Sequence, residues 1–141
     1  MNPATEGPEY GFTARFPGLS MEESRKRVAE ALAEQGFGIL TEIDAAATLK
    51  QKIGVDMGPY LILGACNPKL AHRALTADPF VGLLLPCNVC LWKEADATVI
   101  SIANPRSLFQ VVDQPSLAPV AAEATERLRA VHAKLRDWAK R

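Results

Sequence analysis

Seven consecutive residues, 60–66 (Tyr-Leu-Ile-Leu-Gly-Ala-Cys), constrain this chain more than any other stretch. They are apolar at odd and even positions alike, so both faces of the strand they predict must be covered. Such a strand lies in the interior of a sheet. Pro59 starts it and Asn67-Pro68 ends it, the asparagine as a helix cap and the proline at the first helical position, where its missing N–H costs nothing. The 35 residues from Gly58 to Trp92 also hold all three cysteines and two Cys-Asn pairs.

The flanking segments supply partners for that strand. Residues 10–16 alternate weakly and end at Pro17-Gly18, a first strand. Ser20-Met21-Glu22-Glu23 has the form of a capping box, with Glu23 expected to reach back to the cap. The helix it opens runs to Gln35, buries Met21, Val28, Ala31 and Leu32, and stops at Gly36. Residues 37–43 predict a half-buried strand with Phe37, Ile39, Thr41 and Ile43 on one side. Asp44 caps a short helix through Ile53 that Gly54 stops. The helix after Asn67-Pro68 places Leu70, Ala71, Ala74 and Leu75 inward and Lys69, His72, Arg73 and Thr76 outward.

An apolar run, 80–85, meets Pro86, which cannot donate to a ladder and so separates the run from the next strand or joins them at a bulge. That strand, 87–92, and its return, 98–103, flank a polar hairpin loop. Asn104-Pro105 is a second cap-plus-proline signal. From Ser116 to Ala139 the apolar positions Leu117, Ala121, Ala124, Leu128, Val131, Leu135 and Trp138 make one seam, read as packing across a sheet, with Glu123 and Arg127 paired on the wet side. The layout is an α+β domain over residues 10–139, helices on one face of a mostly antiparallel sheet, preceded by a loose leader, 1–9. The helix-free face must then be covered by the apolar loop, a partner subunit or a ligand.

Bulk properties exclude several function classes. With 141 residues, 16 basic and 16 acidic side chains and 6% aromatics, the chain lacks the charge and stacking platforms of a nucleic-acid binder. No apolar run reaches membrane-spanning length and no signal segment precedes the domain, so no membrane is expected as a partner. Three cysteines, an odd number, do not form a disulfide framework, which points to a reducing, cytoplasmic location.

Cys87 and Cys90 have CxxC spacing, but residues three apart on a strand face opposite ways, which disfavours a redox dithiol. The same geometry disfavours zinc on Cys66, His72, Cys87 and Cys90, so no metal site is expected. Cys66 stands at a strand end before a helix N-terminus, a setting that favours a thiolate or an anion. If the strands bearing Cys66 and Cys87 are antiparallel neighbours, both Cys-Asn pairs share one rim. The candidate ligand-binding residues are therefore Cys66, Asn67, His72, Cys87 and Asn88. The plainer reading is that both cysteines are buried hydrophobes and Asn67 only a cap. A rival is a thiol enzyme, or a carrier of sulfur or a soft metal, using Cys66 or Cys87. Catalytic residues and any cofactor are not legible.

Residues 36–44 (GFGILTEID), 63–68 (LGACNP), Ala71-His72 and 82–89 (GLLLPCNV) resemble the family catalogued as domain of unknown function 302, over roughly residues 10–135. The resemblance implies a curved antiparallel sheet with helices on one side, like the TATA-binding protein, and a homodimer. Members are bacterial and archaeal, and the family carries no settled activity. Cys90 stands where members more often have an apolar residue. The shared fold name implies nothing about DNA.

Overall fold

The computed structural model describes residues 7–139, so the first six positions of the expected leader lie outside the described residues. Five strands form one sheet in the order β1-β5-β4-β3-β2: β1 Gly11–Pro17, β2 Gly38–Asp44, β3 Tyr60–Cys66, β4 Cys87–Glu94 and β5 Ala97–Ala103. All four pairings are antiparallel. β3 is interior, as its two-sided apolar sequence requires. The helices are α1 Met21–Glu34, α2 Ala45–Ile53, α3 Pro68–Ala77, α4 Pro105–Leu108 and α5 Ala118–Ala139.

Helices α1 and α5 cover one sheet face. Leu63, Val89, Leu91, Ile100 and Ile102 from the strands meet Val28 and Leu32 of α1 and Leu128, Val131 and Leu135 of α5, all essentially inaccessible to water. Each such side chain contributes about 1.5–3 kcal/mol by leaving water. The seam on the last helix thus packs across the sheet, although α5 begins only after a 3-10 turn, Pro115–Leu117.

Local signals place the helix ends. The Ser20 hydroxyl accepts the Glu23 N–H at 3.0 Å, while the Glu23 carboxylate pairs with Arg27, 3.6 Å away, instead of reaching back. Asp44 accepts the Ala47 N–H, and α2 ends at Gly54 with φ 71°, the left-handed stop that glycine provides. The two Asn-Pro signals work alike. Asn67 Oδ1 accepts the Leu70 N–H and Asn104 Oδ1 the Arg106 N–H. Each amide then donates to a distant backbone carbonyl, Asn67 to Gln35 and Asn104 to Glu9, tying a helix start to another part of the chain.

Three expectations need correction. A bulge between Ile39 and Thr41 breaks the alternation of β2: Ile39 stands opposite Ala65 on the helix face, whereas Thr41 and Ile43 stand opposite Gly64 and Ile62 on the other. Leu75 is not buried but 42% exposed. The apolar run becomes a 3-10 helix, Pro79–Leu84, that packs against α3, while on the helix-free sheet face Val99 and Thr13 are nevertheless buried. On that face Tyr60 and Trp92 stack with ring centroids 5.6 Å apart. Gly7 lies so close to Thr13 there that a methyl group on it would overlap the threonine hydroxyl.

Candidate binding site, two thiols in an apolar cavity

β3 runs out where β4 begins, because the two are antiparallel neighbours with Ala65 opposite Cys87. Cys66 therefore lies one position beyond the partner of Cys87, and both line a cavity of about 310 Å³ at this end of the sheet. Its walls come from four places. The β2 bulge gives Leu40 and Thr41, α3 gives Leu70 and Ala74, the approach to β4 gives Leu85 and Pro86, and Phe109, Val120 and Ala124 close the far side.

The wall is apolar almost throughout, so its few polar groups decide what it can hold. Asn67 faces it but has already used its amide at both ends, on Leu70 and on Gln35. Hydrogen-bonding capacity in the wall remains at the two thiols, which are weak donors and acceptors, while the Thr41 hydroxyl packs against Gly64. No charged side chain lines the cavity. Burial, and secondarily the charge of neighbouring Cys66, pushes the Cys87 thiol up to about 11, so it stays protonated at neutral pH.

The other candidate residues lie elsewhere. Asn88, one step from Cys87 on a strand, points to the opposite sheet face, where it lines a separate hollow with Tyr60, Cys90 and Trp92. His72 is on the exposed side of α3, as its helical position predicted, and does not line the cavity. The structure brings together Cys66, Asn67 and Cys87, and leaves Asn88 and His72 apart. Cys90 sits on the other face beside Tyr60; burial, and secondarily the neighbouring Cys90 thiol, push the phenol up to about 12. Among the described residues no group of three or more His, Cys, Asp or Glu side chains could hold a metal ion.

Half of the wall was invisible to sequence reasoning. The β2 bulge leaves no trace in residues 37–43, whose alternation is unbroken in sequence. Val120 stands outside the seam of α5, although its spacing from Ala124 carries it to the same side. Phe109 follows the short helix α4, whose start the second Asn-Pro signal marks.

The family model described as "Domain of unknown function DUF302" matches residues 12–135. A solved structure, that of an uncharacterized conserved DUF302 protein from Bacillus stearothermophilus, is similar at 30% identity with a TM-score of 0.81. The similarity covers 90% of this chain and 98% of that one. No curated protein matches. The matched span runs from β1 to the last turns of α5 and takes in every wall of the cavity, and on that ground the chain belongs to the DUF302 family.

Proposed function

We propose that this protein is a binding domain that takes a small, largely apolar molecule into the cavity beside Cys66 and Cys87. The observation that carries the reading is the cavity's lining: two cysteines and the already bonded Asn67 in an otherwise almost wholly apolar wall. A volume of about 310 Å³ falls at the lower end of the range for small-molecule sites, which are mostly apolar with few placed polar groups. Asn67 contributes by fixing the start of α3, which forms one wall, and not through a free amide. The raised Cys87 thiol speaks against the rival in which this cysteine is a nucleophile, because the thiol form attacks poorly.

The partner we infer for the outer edge of β2 is a second copy of the chain. In support, this strand has a neighbour on one side only, and Leu40, Ile43, Ile53, Val55 and Met57 on it and just beyond it are 46–67% exposed. Helix α2 beside it buries none of its residues. An edge of this kind is a template for pairing with another strand. Three free cysteines favour a reducing, cytoplasmic setting. Among the described residues no helix is long and apolar enough to cross a membrane.

An apolar fluorescent reporter tests the binding reading. Replacing Ala124, small and at the cavity wall, by Phe should fill the space and abolish reporter binding with the circular dichroism spectrum intact. Undiminished binding in that variant would refute it. Light scattering of the wild type and of Ile43→Lys tests the second copy, which predicts a dimer that the lysine splits.

A further inference from the structure

Phe80 is 78% exposed, Leu83 85% and Val111 79%, the three highest values for large apolar side chains among the described residues, and all three line one groove. The groove shares no lining residue with the thiol cavity. Its two walls are 3-10 turns, Pro79–Leu84 and Phe109–Val111. Residues three apart eclipse in such a helix, so Phe80 and Leu83 project from one side. Val81, 1% exposed, holds the same helix to the core from another. Asp78 and Asp113 also line the groove, and no basic side chain does. Asp78 accepts the Phe80 N–H at 3.0 Å, which keeps its carboxylate beside the first apolar anchor.

We propose that this groove docks an amphipathic, basic helix of a partner protein. The helix lays its apolar side on Phe80, Leu83 and Val111 and turns lysine or arginine toward Asp78 and Asp113. The thiol cavity takes no part in it. The walls select the mode of docking. Neither is a strand, so an extended peptide finds no edge to add to, whereas a helix with apolar anchors three and four positions apart fits a groove of this kind. Charge selects the partner. The two carboxylates would be repelled by an anionic membrane surface. A second copy docked groove to groove by twofold symmetry would bring four carboxylates together. A basic helix covers the apolar patch and meets both charges with opposite ones.

The probe is a fluorescently labelled peptide of leucine and lysine in amphipathic helical order, about four turns long, titrated into the full chain and followed by anisotropy. The expected result is saturable binding of one peptide per chain that weakens with added salt. Phe80→Ser and Leu83→Ser, at positions too exposed to disturb the core, should each weaken it about 10-fold or more. Asp78→Asn and Asp113→Asn together should weaken it about threefold and flatten the salt dependence, with the asparagine at 78 still able to cap Phe80. Ile53→Ser, changed at an exposed apolar position outside the groove, should bind as the wild type does. Absence of binding, equal binding of the same peptide with glutamate for every lysine, or an equal loss in Ile53→Ser overturns the proposal. Flotation with phosphatidylglycerol vesicles that Leu83→Ser abolishes would assign the groove to a membrane instead. A wild-type dimer that Leu83→Ser splits would assign it to a second copy, and either result overturns the basic helix.

Discussion

The chain contains the dipeptide Cys-Asn twice, at Cys66-Asn67 and at Cys87-Asn88, and puts it to different uses. The first pair closes a strand and opens a helix. There both residues line the cavity, and the asparagine uses its amide on α3 and on Gln35. The second pair opens a strand and remains extended. Strict alternation then sends Cys87 into the cavity and Asn88 to the far face, opposite Gly64. Two identical words therefore give one shared pair of sulfurs and two unrelated amides. What a short motif does depends on whether a helix or more strand follows it.

The largest effect expected from breaking this arrangement comes at Gly64, the register partner of Asn88. A methyl group there would meet the Thr41 hydroxyl and come within 2.7 Å of the Pro86 ring. Pro86 immediately precedes Cys87 and cannot yield far, so Gly64→Ala should cost about 3 kcal/mol by denaturant unfolding and disturb the entry to β4. An unchanged midpoint would mean that the β2 bulge and Pro86 do not enclose β3 as described.

Next comes the proton on Cys87. Burial raises this thiol from its ordinary 9.0 to about 11. A group with a raised folded value favours the folded state fully below its unfolded value, and that contribution is lost as pH climbs from about 9 to about 11. Two units correspond to about 2–3 kcal/mol. Unfolding free energies measured across that window should fall by this amount more steeply in the wild type than in Cys87→Ala. The Tyr60 phenol also titrates at alkaline pH but is common to both proteins, so their difference isolates the thiol. Parallel curves would show that Cys87 is not enclosed.

Asn67→Ala should cost about 1–2 kcal/mol, the price of a helix cap together with the tie to Gln35. Near-ultraviolet signals from the α3 side should shift with it. A loss below about 0.5 kcal/mol would mean that neither bond holds α3 in place.

Much of this contrast was legible in residue order, and the reasons are local. Asn67-Pro68 announces its cap because only a few side chains can satisfy a helix's first N–H groups and proline fits the next position. The interior place of β3 follows from apolar residues on both its faces. The antiparallel pairing of β3 with β4, on which the meeting of Cys66 and Cys87 depends, could be posed from sequence but not decided, because pairing is a long-range choice. The β2 bulge was not legible at all. It inserts Leu40 without interrupting the apolar pattern, and Thr41 consequently turns to the face opposite Ile39, a shift that no periodicity records. Asn88 was misplaced in the shared rim for a related reason: the rim idea joined two dipeptides by position along the strands and gave too little weight to the faces.

The smallest effect is also the sharpest check on the comparison, because it uses the same amino acid as the cap. Asn88 is exposed on the helix-free face and makes no side-chain hydrogen bond among the described residues. Replacing it by alanine removes no buried contact and leaves no polar group unpaired, so its stability should stay within about 0.5 kcal/mol of the wild type. Reporter binding in the thiol cavity should be unchanged as well, since the sheet itself stands between the two. If Asn88→Ala instead weakened binding as much as a change at Cys66 does, the two faces would communicate. The first Cys-Asn pair and the second would then form one site after all, through the backbone of β4.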